Sequence, residues 1–296
     1  MKFTLSTLIL GLSFLLKFSL TANASSNFKM ESCQMEKGEK IVVGCTTDCG
    51  RFNVWGLVKA ARKMGYRIKL QNLYSENQTP DYSQVDAILI PGGIDIDPKY
   101  YIDKITPELQ AETKRLDYLV NYTEEGKVRD PFEYNLLKSY FNATDAASLH
   151  TPVLGICRGM QMLTVSQGIP LYVDIKEELG IKNRRYTLDR IRITKDDSLI
   201  KSLQRRTMFR GVELHHQGLR LDYYNERKDQ WPQLEVTAIS NGNTIAEVIE
   251  FSNRPVLGVQ FHPEYTFGRT RRSTFSWLLN RACIKRKMMK TVSKEL

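Results

Sequence analysis

Pro152-Val153-Leu154-Gly155-Ile156-Cys157-Arg158-Gly159 is the stretch on which the reading of the whole chain turns. Its first five residues are a short apolar run, as expected of a strand covered on both faces. From Gly159 to Gln167 the spacing becomes helical, and Gly168 closes the helix. The same strand-then-helix unit recurs outward from this point. Lys40-Ile41-Val42-Val43-Gly44 is a β-branched run, and Val54, Leu57, Val58 and Ala61 follow at helical spacing before Gly65. Tyr66 to Leu70 and Val85 to Ile90 read as strands, the second stopped by Pro91-Gly92-Gly93. A polar stretch leads to Arg129-Asp130-Pro131-Phe132-Glu133, after which Tyr134, Leu136, Leu137 and Phe141 are spaced for a helix. Strands alternating with helices imply right-handed crossovers, and so an α/β fold with a mainly parallel central sheet flanked by helices. Functional side chains are then expected at the C-terminal ends of the strands.

The last third has a different rhythm. Leu234 to Ile239, Thr244 to Phe251 and Pro255 to Phe261 are three β-rich segments joined by Asn-Gly and Asn-Arg-Pro turns, which predicts an antiparallel β meander added to the parallel sheet. Lys176 to Thr207 is polar and irregular, and is expected to form an insertion or lid without an assigned function. No Pro, Gly or Ser run divides the chain and no long repeat runs through it, so one globular unit is expected over residues 40–268.

The first 24 residues differ in kind. Lys2 precedes an apolar stretch from Phe3 to Leu16, and Ala22-Asn23-Ala24 offers small side chains for cleavage. This stretch of 14 residues, interrupted only by Thr and Ser, falls short of the ~18–20 that span a bilayer, so residues 1–24 read as a secretory signal peptide and the protein as exported, periplasmic or secreted. An uncleaved anchor is the plain alternative; after cleavage no stable membrane association is expected. Residues 25–39 are an N-terminal extension.

The net charge of +10 raises the question of nucleic acid, but its placement argues against that. Nine Lys or Arg stand against Glu295 alone between Arg269 and Leu296, and with Lys2 and Lys17 they account for the whole surplus. The body is near neutral, no nucleic-acid partner is expected, and residues 269–296 read as a short terminal helix around Ser273 to Ala282 followed by a solvated basic tail. Five cysteines, at 33, 45, 49, 157 and 283, are too few for a disulfide scaffold. Outside the cytosol, Cys33, Cys45 and Cys49 can supply one bridge, of undetermined pairing. Cys45-Thr-Thr-Asp-Cys49 lacks the second pair of ligands that zinc requires, so no metal is assigned. A homodimer is compatible with the sequence.

Gly155-Ile156-Cys157-Arg158-Gly159 has a mechanical reason to flank a nucleophile with small residues, because a sharp strand-to-helix turn needs them. A sulfur there sits at a helix N-terminus, which favours the thiolate. The backbone N–H of Arg158 can donate toward a developing oxyanion. Close packing around a small buried Cys is the bland alternative, so the motif's weight comes from its partners. An amide-cleaving thiolate needs a base that later acts as acid. Of His150, His215, His216 and His262, the last follows an apolar strand, and Pro263 stiffens the turn that brings Glu264 close enough to hold its tautomer. Pro91-Gly92-Gly93 supplies a loop with backbone N–H groups free of side chains. Leu214-His215-His216-Gln217-Gly218 gathers polar groups suited to a substrate's charged end, with an exposed surface turn as the alternative.

With these residues in place the chain resembles the class I glutamine amidotransferase-like superfamily, flavodoxin-like in fold, and within it the γ-glutamyl-γ-aminobutyrate hydrolase branch, peptidase family C26. The resemblance rests on Pro91 to Pro98, Arg129-Asp130 with Glu133, Gly155 to Gln161, His215-His216-Gln217 and Gly258 to Glu264, and spans about Lys40 to Phe267. It implies a cysteine hydrolase that cleaves γ-glutamyl amide bonds of a small-molecule substrate through a thioester on Cys157, with His262 as base and acid and Glu264 orienting it. It also implies Gly93 and Arg158 as oxyanion donors beside Gly92, and Gln161 at the substrate's glutamyl end, with His215, His216 and Gln217 kept as candidate substrate contacts. No cofactor is implied. Val212-Glu213 departs from the Asn-Ser that relatives often carry before the His pair, which bears on the substrate rather than the chemistry. A glutaminase subunit that passes ammonia to a synthetase, and a catalytically silent binding protein of the same fold, are the alternatives.

Overall fold

The computed structural model describes residues 28–74, 82–181 and 186–295. The segment read as a signal peptide lies outside the described residues. Eleven strands are β1 (Lys40–Cys45), β2 (Arg67–Asn72), β3 (Ala87–Ile90), β4 (Val153–Ile156), β5 (Leu171–Tyr172), β6 (Thr187–Ile193), β7 (Met208–Glu213), β8 (Gly218–Leu219), β9 (Leu234–Ser240), β10 (Ile245–Phe251) and β11 (Val256–Val259). The helices are α1 (Arg51–Met64), α2 (Pro107–Leu116), α3 (Glu124–Asn142), α4 (Ala146–His150), α5 (Arg158–Ser166), α6 (Ile175–Leu179), α7 (Leu199–Gln204), α8 (Leu221–Arg227) and α9 (Arg269–Glu295).

Nine strands make one sheet in the order β2-β1-β3-β4-β11-β10-β9-β6-β7. The five from β2 to β11 run parallel, with Leu154 flanked by Leu89 and Leu257. From β11 onward every pairing is antiparallel. The α/β class with an added meander is thus the architecture found, and β11 does two jobs: it ends the meander and completes the parallel half. Every residue of β3, β4 and β11 is buried, because helices cover both faces. On one face Ile41, Val43, Leu57, Phe275 and Trp277 share a core with α1 and α9; on the other Ile88, Ile90, Leu136, Leu137 and Met162 share one with α3 and α5. No helix among the described residues is long and apolar enough to cross a membrane.

Four expectations are corrected. In the segment expected to form an insertion or lid, residues 187–193 belong to the scaffold, because alternate residues Ile191 and Ile193 bury themselves and β6 joins the main sheet against β9. The helix after Arg129 begins earlier, at Glu124, where the Thr123 hydroxyl accepts from the Gly126 N–H, and Arg129 to Glu133 lie inside it. The short helix with a solvated tail is one helix of 27 residues, α9. Phe275, Leu278, Leu279, Ala282 and Cys283 recur at helical spacing and are fully buried, while Arg281 pairs with Glu31, Arg286 with Asp86 and Lys290 with Glu39. Lys285 donates to the Val85 carbonyl at 2.6 Å, and burial pulls its pKa down to about 8.

The fourth correction concerns cysteines: two disulfides form, Cys45–Cys49 and Cys33–Cys283. Helix α9 runs past residues 28–33, where the Trp277 indole donates to the Phe28 carbonyl and Asn280 bonds the Glu31 backbone twice, so residues 250 apart in sequence meet. A bridge closing so long a loop restricts the unfolded chain far more than one spanning four residues. Cys33→Ser should therefore cost about 2–5 kcal/mol in denaturant unfolding, and Cys45→Ser less; equal losses would contradict this account of what the N-terminal segment contributes.

Candidate active site

The tips of β3, β4 and β11 meet at one place because these strands are neighbours in the sheet. At the tip of β4 the chain must pass from strand to helix within one residue. Cys157 does so at φ 51° and ψ −108°, left-handed backbone that a non-Gly residue adopts only under constraint. Its N–H is held by the Val259 carbonyl at 2.7 Å. The flanking glycines are required by contact. A methyl on Gly159 would lie 2.1 Å from the Ile90 carbonyl oxygen, and one on Gly155 would lie 2.7 Å from the Gly159 carbonyl. The turn can pack against β3 only without side chains there. Cys157 is the one free cysteine among the described residues. Arg158 is the first residue of α5, so its N–H has no acceptor within the helix.

His262 stands three residues beyond β11, its N–H bonded to the Val212 carbonyl at 2.8 Å and its carbonyl accepting from the Thr266 hydroxyl at 2.8 Å. Its Nδ1 bonds Glu264 Oε1 at 2.7 Å. The Tyr265 ring packs 5.4 Å away. Burial opposes charge on the imidazole, but the neighbouring Cys157 and the Glu264 carboxylate outweigh it and hold His262 well above the ordinary imidazole range. Gly92 sits against both groups: a methyl there would lie 3.0 Å from His262 Cε1 and 3.5 Å from Cys157 Cβ. Sulfur, imidazole, carboxylate and glycine loop are thus brought together.

Beneath the glycine loop lies a buried charge network whose role the sequence left unassigned. Arg129 donates from Nη2 to the Pro91 carbonyl at 2.7 Å and from Nη1 to the Gly92 carbonyl at 3.1 Å, and its Nε pairs with Glu133 at 2.8 Å. The fully buried Arg158 side chain pairs with Asp130 and Glu133. Thr46 donates its hydroxyl to Glu133 at 2.5 Å. Burial alone would raise the Glu133 pKa, yet Arg158 and Arg129 pull it below the usual carboxylate value; for Asp130 burial prevails over Arg158 and its pKa rises. The two arginines face two buried acids, with the exposed Glu125 also pairing with Arg129, and the network fixes both carbonyls of the turn that precedes Gly93. A methyl on Gly93 would fall 2.2 Å from Arg129 Nη1.

The residues expected at the glutamyl end are interlocked. Gln161 Nε2 donates to the Gln217 carbonyl at 2.7 Å, and the Ile96 N–H donates to Gln217 Oε1 at 3.0 Å. The buried Gln217 Nε2 has no protein acceptor. Both ring nitrogens of His216 are taken, Nε2 by Asp95 at 2.8 Å and Nδ1 by Asp174 at 3.1 Å, and these carboxylates raise its pKa. It ties three loops together rather than facing a ligand with either nitrogen. His215 bonds Gln217 O and Glu213 and is nearly buried, which excludes the exposed-turn alternative. Burial pushes the Glu213 carboxyl up to about 8 and, with Glu213 beside it, lifts Glu247 well above the carboxylate range. Sequence reasoning also missed Gln260, whose Nε2 lies 3.7 Å from the Cys157 sulfur. Its position two residues before His262 was the available signal.

A parallel-centred sheet with a free thiol in a strained strand-to-helix turn is the arrangement of the class I glutamine amidotransferase-like proteins, and the chain is a hydrolase of C–N bonds of that kind. The family model of Peptidase C26 matches residues 53–264, and the chain belongs to that family. Protein NtpR of Enterococcus hirae is 29% identical over 193 residues, covering 62% of this chain and 68% of that one. The glutamine amidotransferase-like protein YvdE of Lactococcus lactis is 29% identical over 200 residues, 65% of this chain and 72% of its own. In fold the chain is similar to the glutaminase domain of Trypanosoma brucei CTPS, with a TM-score of 0.57 at 14% identity over 82% of this chain and 93% of that one.

Gly93→Ala should lower kcat by about 10²–10³ while leaving the far-UV spectrum unchanged, since the added methyl must displace either the loop's donor or Arg129. Unchanged turnover in that variant would show that this loop does not serve the reaction.

Proposed function

We propose that the protein is a γ-glutamyl hydrolase that cleaves a small-molecule γ-glutamyl amide through an enzyme thioester. The observation that carries this is that Cys157 and His262 both pack against Gly92 at the strand tips, with His262 Nδ1 held at 2.7 Å by Glu264. The Cys157 thiolate attacks the γ-carbonyl carbon and the oxygen takes up negative charge, received by the N–H groups of Gly93 and Arg158. As the C–N bond breaks, the imidazolium gives its proton to the departing amine. Water then attacks the thioester, His262 takes its proton, and glutamate leaves as the thiolate re-forms. The unsatisfied Gln217 amide, an N–H donor buried behind α5, supports a carboxylate-bearing glutamyl group at that end. Glutamine, with ammonia as the leaving group, is the second reading, favoured by the name of the Lactococcus relative.

Export through residues 1–24 belongs to the same proposal. The two disulfides fit an oxidising compartment, and N-terminal sequencing of the mature protein should begin at Ser25; a start at Met1 would refute cleavage.

In a screen of γ-glutamyl amides that assays ammonia and primary amines separately, turnover is expected for at least one substituted amide above that for glutamine. Cys157→Ala should abolish it with the fold intact, and full activity in that variant would exclude the mechanism. Glu264→Gln should lower kcat by up to about 10⁴, less than the loss in Cys157→Ala. The thiolate–imidazolium pair is lost when His262 deprotonates, and its pKa is raised from 6.5. The alkaline limb of kcat/KM should therefore lie above pH 6.5 in the wild type and move down in Glu264→Gln. A limb that does not respond to Glu264 would mean that another group sets it.

A further inference from the structure

Behind the His215–Gln217 loop lies a cluster that the proposed reaction does not use. Glu213 at the end of β7, His215 in the loop and Glu247 in β10 each present a ligand atom within 4.8 Å of the other two. Glu247 is fully buried, Glu213 is 6% exposed and the His215 side chain 5%.

The hydrogen bonds around them fix which atoms face inward. His215 Nδ1 lies 2.8 Å from the Gln217 carbonyl, which can only accept, so the proton is on Nδ1. In the neutral ring Nε2 then presents a lone pair to Glu213 Oε2, an acceptor 3.0 Å away. Ser240 donates its hydroxyl to Glu247 Oε1 at 2.6 Å, which leaves Oε2. Glu213 Oε1 and Glu247 Oε2 are both buried and reach no N–H or O–H donor. With both carboxyls ionised, acceptor therefore faces acceptor, and the cluster is satisfied only by a proton on a carboxyl or by a cation held between the three side chains.

We propose that Glu213, His215 and Glu247 form a binding site for one divalent cation of the zinc class. One imidazole nitrogen and two carboxylates suit Zn²⁺, and their two negative charges match its two positive ones. Mg²⁺ and Ca²⁺ require a larger shell of oxygens than this set offers. Gln217 O and Ser240 Oγ occupy the outer positions that orient a ligating imidazole and a ligating carboxylate in metalloproteins. The ion does not touch the reacting atoms. It joins the end of β7 and the middle of β10 to the loop that carries Gln217, and so positions the amide proposed to meet the glutamyl group. A shared proton between the carboxyls is the competing way to supply the positive charge, and the two differ in what they bind.

The test uses tag-free, full-length Cys157→Ala protein, so that the catalytic thiol cannot capture a soft metal. After chelator stripping and dialysis against Zn²⁺ or Mg²⁺, bound metal is measured by mass spectrometry of the elements, melting temperature is recorded, and Co²⁺ is added to read visible d–d absorption. About one Zn²⁺ per chain should be retained, raising the melting temperature, with Co²⁺ bands of a low-coordinate nitrogen–oxygen site and no retention of Mg²⁺. Adding Glu247→Gln, which keeps the side chain's volume, should remove the retained Zn²⁺ and the Co²⁺ bands. Less than half an equivalent of Zn²⁺ with no melting shift would overturn the site in favour of the shared proton. Undiminished Zn²⁺ in the Glu247→Gln protein would overturn it by placing the ion elsewhere. Should that variant not fold, the stoichiometry and Co²⁺ spectrum of the Cys157→Ala protein decide alone.

Discussion

Everything at the candidate site depends on how closely the turn after β4 can approach β3. The Ile90 carbonyl fills the space that a Gly159 side chain would occupy, and the Gly159 backbone fills the space beside Gly155. Within that confinement Cys157 is driven to φ 51°, which points its sulfur out of the strand and across the sheet's edge toward the tip of β11. Strain of this kind costs on the order of 1–3 kcal/mol and persists only when its surroundings over-determine it. Here they do: β4 is paired on both sides, fully buried, and its last N–H contact is the Val259 carbonyl. The same register that strains the cysteine delivers His262.

A second requirement follows from the first, since a loop of bare backbone has nothing of its own to hold it. Pro91-Gly92-Gly93 is kept in place by Arg129, which reaches from α3 to two consecutive carbonyls while Glu133 and Glu125 hold the guanidinium. Glu133 in turn is shared with Arg158, whose backbone begins α5. One carboxylate thus links the two segments expected to carry the oxyanion donors. Burying such a network stabilises little compared with an apolar core, but removing one partner leaves an uncompensated charge, so the set stands or falls together.

How much of this could be read from the sequence depends on the range over which each feature is determined. The Cys157 turn, the His262–Glu264 pair and the strand-tip glycines are local, written within a few residues, and their convergence follows from strands lying side by side. The three β-rich segments of the last third were legible for the same reason. What was missed is non-local or disguised. The Cys33–Cys283 bridge needs the path of α9, whose continuation past Ala282 carries so many Lys and Arg that it read as a solvated tail although Cys283 is buried. Arg129 was noticed as a motif, but its hold on Pro91 and Gly92 exists only once α3 crosses the tip of β3. Glu213 was read as a departure bearing on the substrate; its burial against His215 and Glu247 depends on the interior of β10 passing the end of β7 beside the same loop.

The central claim is that the sulfur at this strained turn becomes acylated. Rapid mixing of the wild-type protein with a γ-glutamyl anilide, acid quenching within the first turnover and peptide mapping by mass spectrometry test it most directly. The account predicts a transient mass increase of one γ-glutamyl group on the peptide that contains Cys157, rising with anilide release and decaying as glutamate appears. Anilide release with no modified peptide, or with the group on another residue, would contradict it.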